Sequence, residues 1–178
     1  MHKHSPPAKQ EALRRDPSYA SQLPGGVRDI RNEVIVLICG HGGRDQRCGV
    51  YGPLLRGEFE KRFAEDGSGL EVLKGAAPAA KSEEREEGKK VWGARVGLIS
   101  HIGGHKFAGN VIVYIPPGLK ISETGAPHPL AGHGIWYGRV EPKHVEGIVQ
   151  ETIKKGNVIK ELFRGGIKQG GEILRLPL

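Results

Sequence analysis

Two cysteines and two histidines are the residues of this chain whose types and spacing could do chemistry. Cys39 and Cys48 stand nine positions apart and His101 and His105 four apart, each pair in a glycine-bearing stretch. Two thiolates and two imidazoles make four soft-to-borderline metal ligands. Glycines between them let the backbone pass close to a bulky group and present amide N–H donors to it. Zinc is one candidate. The H-x-x-x-H half fits finger spacing, but structural zinc ordinarily takes cysteines two to four residues apart, and here eight intervene. A wider loop suits a larger cluster, and in Rieske centres two histidines replace two cysteines on one iron of a 2Fe–2S cluster. The order here is Cys, Cys, His, His rather than interleaved. A third use of the same thiols is a disulfide or an exchanging dithiol, which would make the chain a thiol-disulfide redox regulator.

The stretches Cys39-Gly40-His41-Gly42-Gly43-Arg44-Asp45-Gln46-Arg47-Cys48-Gly49 and Ser100-His101-Ile102-Gly103-Gly104-His105-Lys106-Phe107-Ala108-Gly109-Asn110 hold every candidate ligand. Ile135-Trp136-Tyr137-Gly138-Arg139-Val140 and Phe163-Arg164-Gly165-Gly166 follow them. On these motifs, residues 34–166 resemble the sucrase/ferredoxin-like family, the thioredoxin-like ferredoxin domain of fungal proteins. The resemblance implies a 2Fe–2S cluster held by Cys39, Cys48, His101 and His105, and an electron carrier rather than an enzyme with its own substrate pocket. Bacterial thioredoxin-like ferredoxins place C-x-x-x-C where this chain has H-x-x-x-H, which implies the same topology. The family has a mitochondrial and a cytosolic branch, and the cytosolic one ends in an aromatic-tipped tripeptide. This chain ends Leu176-Pro177-Leu178, so a mitochondrial location is the expectation and a cytoplasmic one the alternative. Family members also carry a preceding N-terminal domain, and the chain reads as a fragment that starts at a linker.

Other candidates have plainer readings. His41 and His133 sit among glycines and read as surface residues, with a supporting role at the site or a place as substitute ligands as the alternatives. His128 belongs to a loop, and His2, His4 and His144 are solvated. Arg44 and Arg47 flank the cysteines, where they would raise the potential of a negatively charged cluster and suit an acidic redox partner. The charged run at 83–90 reads as a solvated face. Neither glycine loop has the G-x-x-x-x-G-K-[ST] or G-x-G-x-x-G spacing of a phosphate cradle, and no G-x-S-x-G is present.

Positioning these residues requires strands that end at the loops. Residues 34–38 are a five-residue apolar run, β-branched at four places, and read as a buried central strand. Residues 40–49 then form a loop ending at Cys48. Pro53 suits the first turn of a helix carrying Leu55, Phe59 and Phe63, with Gly67 as its stop. Short strands are expected at 70–73, 94–100, 110–115 and 134–140. Pro142 opens a helix with Val145, Ile148, Val149 and Thr152 on one face, ending at Gly156. A last short helix is expected over 158–163. The order β–α–β, loop, β–β–α predicts a small α/β domain of thioredoxin-like ferredoxin type, a mixed sheet flanked by helices. Residues 1–31 read as a polar lead-in or linker and 32–178 as the domain, with 76–90 a disordered loop.

The chain's 178 residues suit one domain with tails. Its 28 glycines show no collagen period. The net charge of +7 permits an anionic partner, but aromatic residues are 6% of the chain and few flank basic runs, so nucleic acid is not expected. No stretch nears the roughly 18 apolar residues of a membrane span. Residues 1–30 hold no apolar signal core, and Glu11, Asp16 and Asp29 interrupt any basic presequence.

Overall fold

The computed structural model describes residues 17–22, 30–65, 70–74, 92–121 and 124–175. Most of the expected lead-in, apart from a 3-10 turn at Pro17–Gln22 and residues 30–31, and the whole of the 76–90 loop lie outside the described residues.

The apolar run at 34–38 forms β1 (Glu33–Cys39), one residue longer at each end. A helix, α1 (Gln46–Glu65), follows it, and then the strands β2 (Leu70–Val72) and β3 (Trp92–Ile99). The second half comprises β4 (Val111–Tyr114), β5 (Gly134–Tyr137) and a helix α2 (Pro142–Gly147) that continues as a π-helical segment (Ile148–Lys155). Two further strands close the sheet, β6 (Phe163–Ile167) and β7 (Ile173–Leu174). The strand order is β2-β3-β1-β4-β5-β6-β7. β1 and β3 are parallel, and β4 and β5 add antiparallel neighbours. A β–α–β unit followed by a β–β–α unit on one mixed sheet is the thioredoxin-like arrangement expected from the sequence.

Register decides which residues meet. Val36 stands opposite Val96 on one side and Val113 on the other, and Val113 opposite Ile135. Side chains that pair across strands share a face, so this row forms one apolar layer. It packs with Leu55, Phe59 and Phe63 of α1 and with Val145, Ile148 and Val149 of the second helix. The two helices touch each other, with Arg62 Nη1 3.4 Å from Glu146 Oε2, so they cover the same sheet face.

The helix expected over 158–163 does not form. Residues 163–167 pair instead with β5, where Gly165 faces Trp136 and Gly166 faces Ile135. Leu162 and Phe163, which suggested a helix by spacing, pack against the core from this strand and the turn before it. The second helix opens as the sequence predicts, with Pro142 in its first turn and a reciprocal Glu141–His144 capping box. His144 is therefore a cap and not a solvated side chain. Gly156 ends the helix in the left-handed region at φ 79°.

Tyr137 ties the two layers together. Thr152 Oγ1 donates to the Asn157 carbonyl at 3.0 Å, so in its 2.6 Å contact with Tyr137 it accepts the phenol proton. The phenol oxygen in turn accepts the Ile159 N–H at 3.3 Å. Burial holds the phenol pKa above its ordinary value. Tyr137→Phe removes one donor and one acceptor from a dry site, so it is expected to destabilise the domain by about 1–3 kcal/mol. Urea unfolding checks this, and the slope of the transition should stay at its wild-type value.

Candidate metal centre

Asp45 decides where Cys48 sits. Its Oδ1 accepts the Arg47 backbone N–H at 2.9 Å, and its carbonyl accepts the N–H groups of Cys48 and Gly49 at 3.0 and 3.3 Å. That is N-cap geometry, for which aspartate is among the best residues. The helix therefore begins at Gln46, and Cys48 lies in its first turn rather than at the end of a loop. Pro53, expected in the first turn, falls inside the helix.

The glycines around the cysteines close the helix onto the strand end. A Cβ on Gly49 would stand 2.8 Å from Gly42 Cα, and one on Gly52 2.9 Å from Gly40 Cα and 3.0 Å from the Cys39 carbonyl oxygen. No ordinary side chain fits at those distances. The first two turns of α1 thus meet the end of β1 backbone to backbone, which brings Cys48 over Cys39.

His101, on the segment after β3, completes the group. Cys39 Sγ, Cys48 Sγ and a His101 ring nitrogen all lie within 4.8 Å of one another. Cys39 Sγ is 3.9 Å from His101 Nδ1. Both cysteines are free thiols and fully buried, while His101 is partly exposed. Burial pushes the Cys48 thiol up from 9.0 to about 11, with the hydrogen bond to Cys39 adding to the rise. Two buried thiols and an imidazole at this separation fit a soft or borderline metal, which would displace the thiol protons to solvent and balance the charge of the thiolates left behind.

Of the four residues expected to act together, the structure joins three. The fourth, His105, opens a one-turn 3-10 helix (His105–Phe107), and its side chain lies outside the described residues. His41 is exposed. His133 Nδ1 bonds the Ala131 carbonyl at 2.9 Å within its own turn. His128 is a core residue: Nδ1 accepts the Leu130 N–H at 3.1 Å, so Nε2 carries the proton toward the Ile153 carbonyl at 3.0 Å. Arg44 is exposed, and Arg47 Nη2 pairs with Asp45 Oδ2 at 2.8 Å.

Sequence reasoning missed a polar group beside the thiols. Asn110, 1% exposed, accepts at Oδ1 from Arg164 Nη1 at 2.7 Å and Trp136 Nε1 at 3.3 Å. Arg164 also stacks on Phe107, its guanidinium carbon 3.6 Å from the ring centroid. The available signal was a polar residue placed directly before a buried strand, at the end of the H-x-x-x-H stretch. Asn110 Nδ2 has no hydrogen-bond partner among the described residues.

A thioredoxin-like α/β domain that groups two buried cysteines and a partly exposed histidine at one end of its sheet is, as a class, a candidate metal-binding domain. The sucrase/ferredoxin-like family matches residues 2–165, and the chain belongs to that family. Altered inheritance of mitochondria protein 32 of Meyerozyma guilliermondii is 36% identical over 159 residues, covering 89% of this chain and 43% of that protein. Its counterpart in Clavispora lusitaniae is 41% identical over 131 residues, covering 74% and 34%. The chain spans less than half the length of either relative. Among solved structures, a thioredoxin-like 2Fe–2S ferredoxin from Aquifex aeolicus is similar over 74% of this chain and 87% of its own, with TM-score 0.41 and 16% identity.

Two outcomes follow from this geometry. In metal-free protein, Cys48 should alkylate roughly 100-fold more slowly than an ordinary thiol at pH 8, since a rise from 9.0 to about 11 cuts the thiolate fraction by two decades. The folded pKa is the higher one, so the stability it contributes is intact below pH 9 and is lost as pH rises toward 11. Iodoacetamide kinetics and denaturation across that range check both. Separately, Gly52→Ala should cost about 1–3 kcal/mol and weaken metal uptake, because the added methyl forces α1 off the strand end. Thermal unfolding and metal content of the purified variant test it.

Proposed function

We propose that this chain is a one-electron carrier in which Cys39, Cys48, His101 and His105 hold a 2Fe–2S cluster. The observation that carries the reading is the convergence of two buried thiols and one ring nitrogen within 4.8 Å. Membership of a ferredoxin-like family supports it. His105 is assigned on its four-residue spacing from His101. When bound, such a cluster supplies reversible one-electron chemistry. The protein's part is electrostatic. Two thiolates bring negative charge into a dry site while two neutral imidazoles bring none, which favours a potential above the roughly −400 mV of all-cysteine plant-type centres.

The thiol-exchange reading is disfavoured by Cys48 itself. An attacking thiol must be accessible to the disulfide it exchanges with, and Cys48, like Cys39, is fully buried. For partners, exposed Arg44, Arg47, Lys106 and Arg139 lie in or against the ligand-bearing segments, which suits an acidic redox protein. The names of the relatives suggest a mitochondrial setting, and fractionation of cells expressing the tagged full-length protein tests it.

Anaerobic reconstitution with iron and sulfide is the direct test. The loaded protein should be reddish brown with two irons and two sulfides per chain, as a 2Fe–2S centre requires. Cys39→Ser or Cys48→Ser should abolish or severely reduce the spectrum. A His101→Ala, His105→Ala double variant that kept full absorption and iron content would overturn the ligand assignment. Cysteine at both histidine positions should retain the cluster and move the potential toward about −400 mV. A colourless protein holding one zinc would replace the carrier with a structural zinc module.

A further inference from the structure

Asn110 is the one buried side chain near the centre whose hydrogen-bonding capacity the described residues leave half used. Its oxygen is fully engaged by Arg164 and Trp136. Its NH2 group is buried without a partner. Resting on the cluster reading above, we infer that the Asn110 side-chain amide donates a hydrogen bond to sulfur in the metal centre, with Arg164 and Trp136 as positioning residues that fix its orientation.

The orientation follows from the partners. An arginine guanidinium and a tryptophan indole can only donate. The amide branch facing them must therefore be the oxygen, because a flipped amide would set its own N–H groups against two donors. The NH2 is thereby held on the opposite branch.

The register places that branch near the thiols. Ile38 pairs with Val111, so the next step along the two strands sets Cys39 opposite Asn110, and the Cys39 N–H donates to the Asn110 carbonyl at 3.0 Å. Directly opposed residues of an antiparallel pair share a face with Cβ atoms about 4.5–5.5 Å apart. The histidine segment rests on the same group. A Cβ on Gly103 would stand 2.8 Å from Arg164 Nη1, 3.1 Å from Asn110 Oδ1 and 3.3 Å from Trp136 Cζ2. Gly103 also has φ 143°, which L-residues rarely adopt. The amide is therefore bounded by the strand end carrying Cys39 and by the segment carrying His101. A purely structural asparagine would account for the oxygen and leave the nitrogen unexplained, and buried donors are rarely left so. Thiolate or sulfide sulfur is an acceptor of the right kind. A donor there stabilises the more negative, reduced state and raises the potential.

The test uses the cluster-loaded full chain with 15N placed in asparagine side-chain amides. Pulsed EPR of the reduced protein should show a weak 15N coupling. The chain has three asparagines, and Asn110→Leu should remove the coupling. The same variant is uncharged and nearly isosteric, and it should keep its iron while shifting the oxidised-to-reduced equilibrium about tenfold toward the oxidised form, a potential 59 mV lower for a one-electron couple. Trp136→Phe, which loosens the amide without touching the donor, should shift it by less in the same direction. A wild-type spectrum with no 15N coupling, or an Asn110→Leu protein with unchanged potential, overturns this inference and leaves the carrier reading standing. If Asn110→Leu loses the cluster, the wild-type coupling alone decides. Failure of the wild type to bind any iron–sulfur cluster overturns the carrier reading and this inference with it.

Discussion

The backbone-to-backbone contact between the first two turns of α1 and the end of β1 sets the geometry on which the centre depends. Gly49 lies against Gly42 and Gly52 against Gly40, each too close for a Cβ. Helices held apart by side chains sit 8–10 Å from their neighbours. Here the missing side chains allow a much closer approach, and Cys48 arrives over Cys39 as a consequence. The Asp45 cap works in the same direction, since it starts the helix early enough for Cys48 to belong to it.

That closeness has an electrostatic consequence. Two fully buried thiols side by side cannot ionise cheaply, which is why the Cys48 pKa rises. A metal is the natural replacement for the missing charge compensation. The site is also asymmetric. The thiols come from rigid elements, the end of a central strand and the first turn of a helix, while the imidazole comes from a segment seated on Asn110, Trp136 and Arg164. The sheet carries both halves, because β1 and β4 are neighbours and Cys39 bonds directly to Asn110.

The rest of the fold holds this sheet in one register. The row of Val36, Val96, Val113 and Ile135 makes one apolar layer under two mutually packed helices. Tyr137 closes it by exchanging hydrogen bonds with Thr152 and Ile159. A one-residue slip of β4 against β1 would turn this layer outward and would also move Asn110 away from Cys39. Core register and site geometry are therefore the same constraint.

Much of this was legible in the residues alone. β-branched runs declare central strands, so β1 and β4 were readable to within a residue or two, and Pro142 with its apolar spacing marked the second helix. The thioredoxin-like order was likewise readable, and so was the interest of Cys39, Cys48 and His101, which the structure brings within 4.8 Å of one another. Periodicity misled at 158–163, where Leu162 and Phe163 satisfy a helical pattern but the chain pairs with β5, because a free sheet edge offers hydrogen bonds that local spacing does not reveal. It also placed Cys48 in a loop and gave the start of the helix to Pro53, when the Asp45 cap decided otherwise. The glycines were visible, but their use was not: local sequence shows that Gly40, Gly42, Gly49 and Gly52 lack side chains, and only the packing of helix on strand shows what fills the space. Asn110 belongs wholly to tertiary structure. Its partners lie 26 and 54 positions away, and no local spacing can bring an arginine and a tryptophan to bear on one amide oxygen.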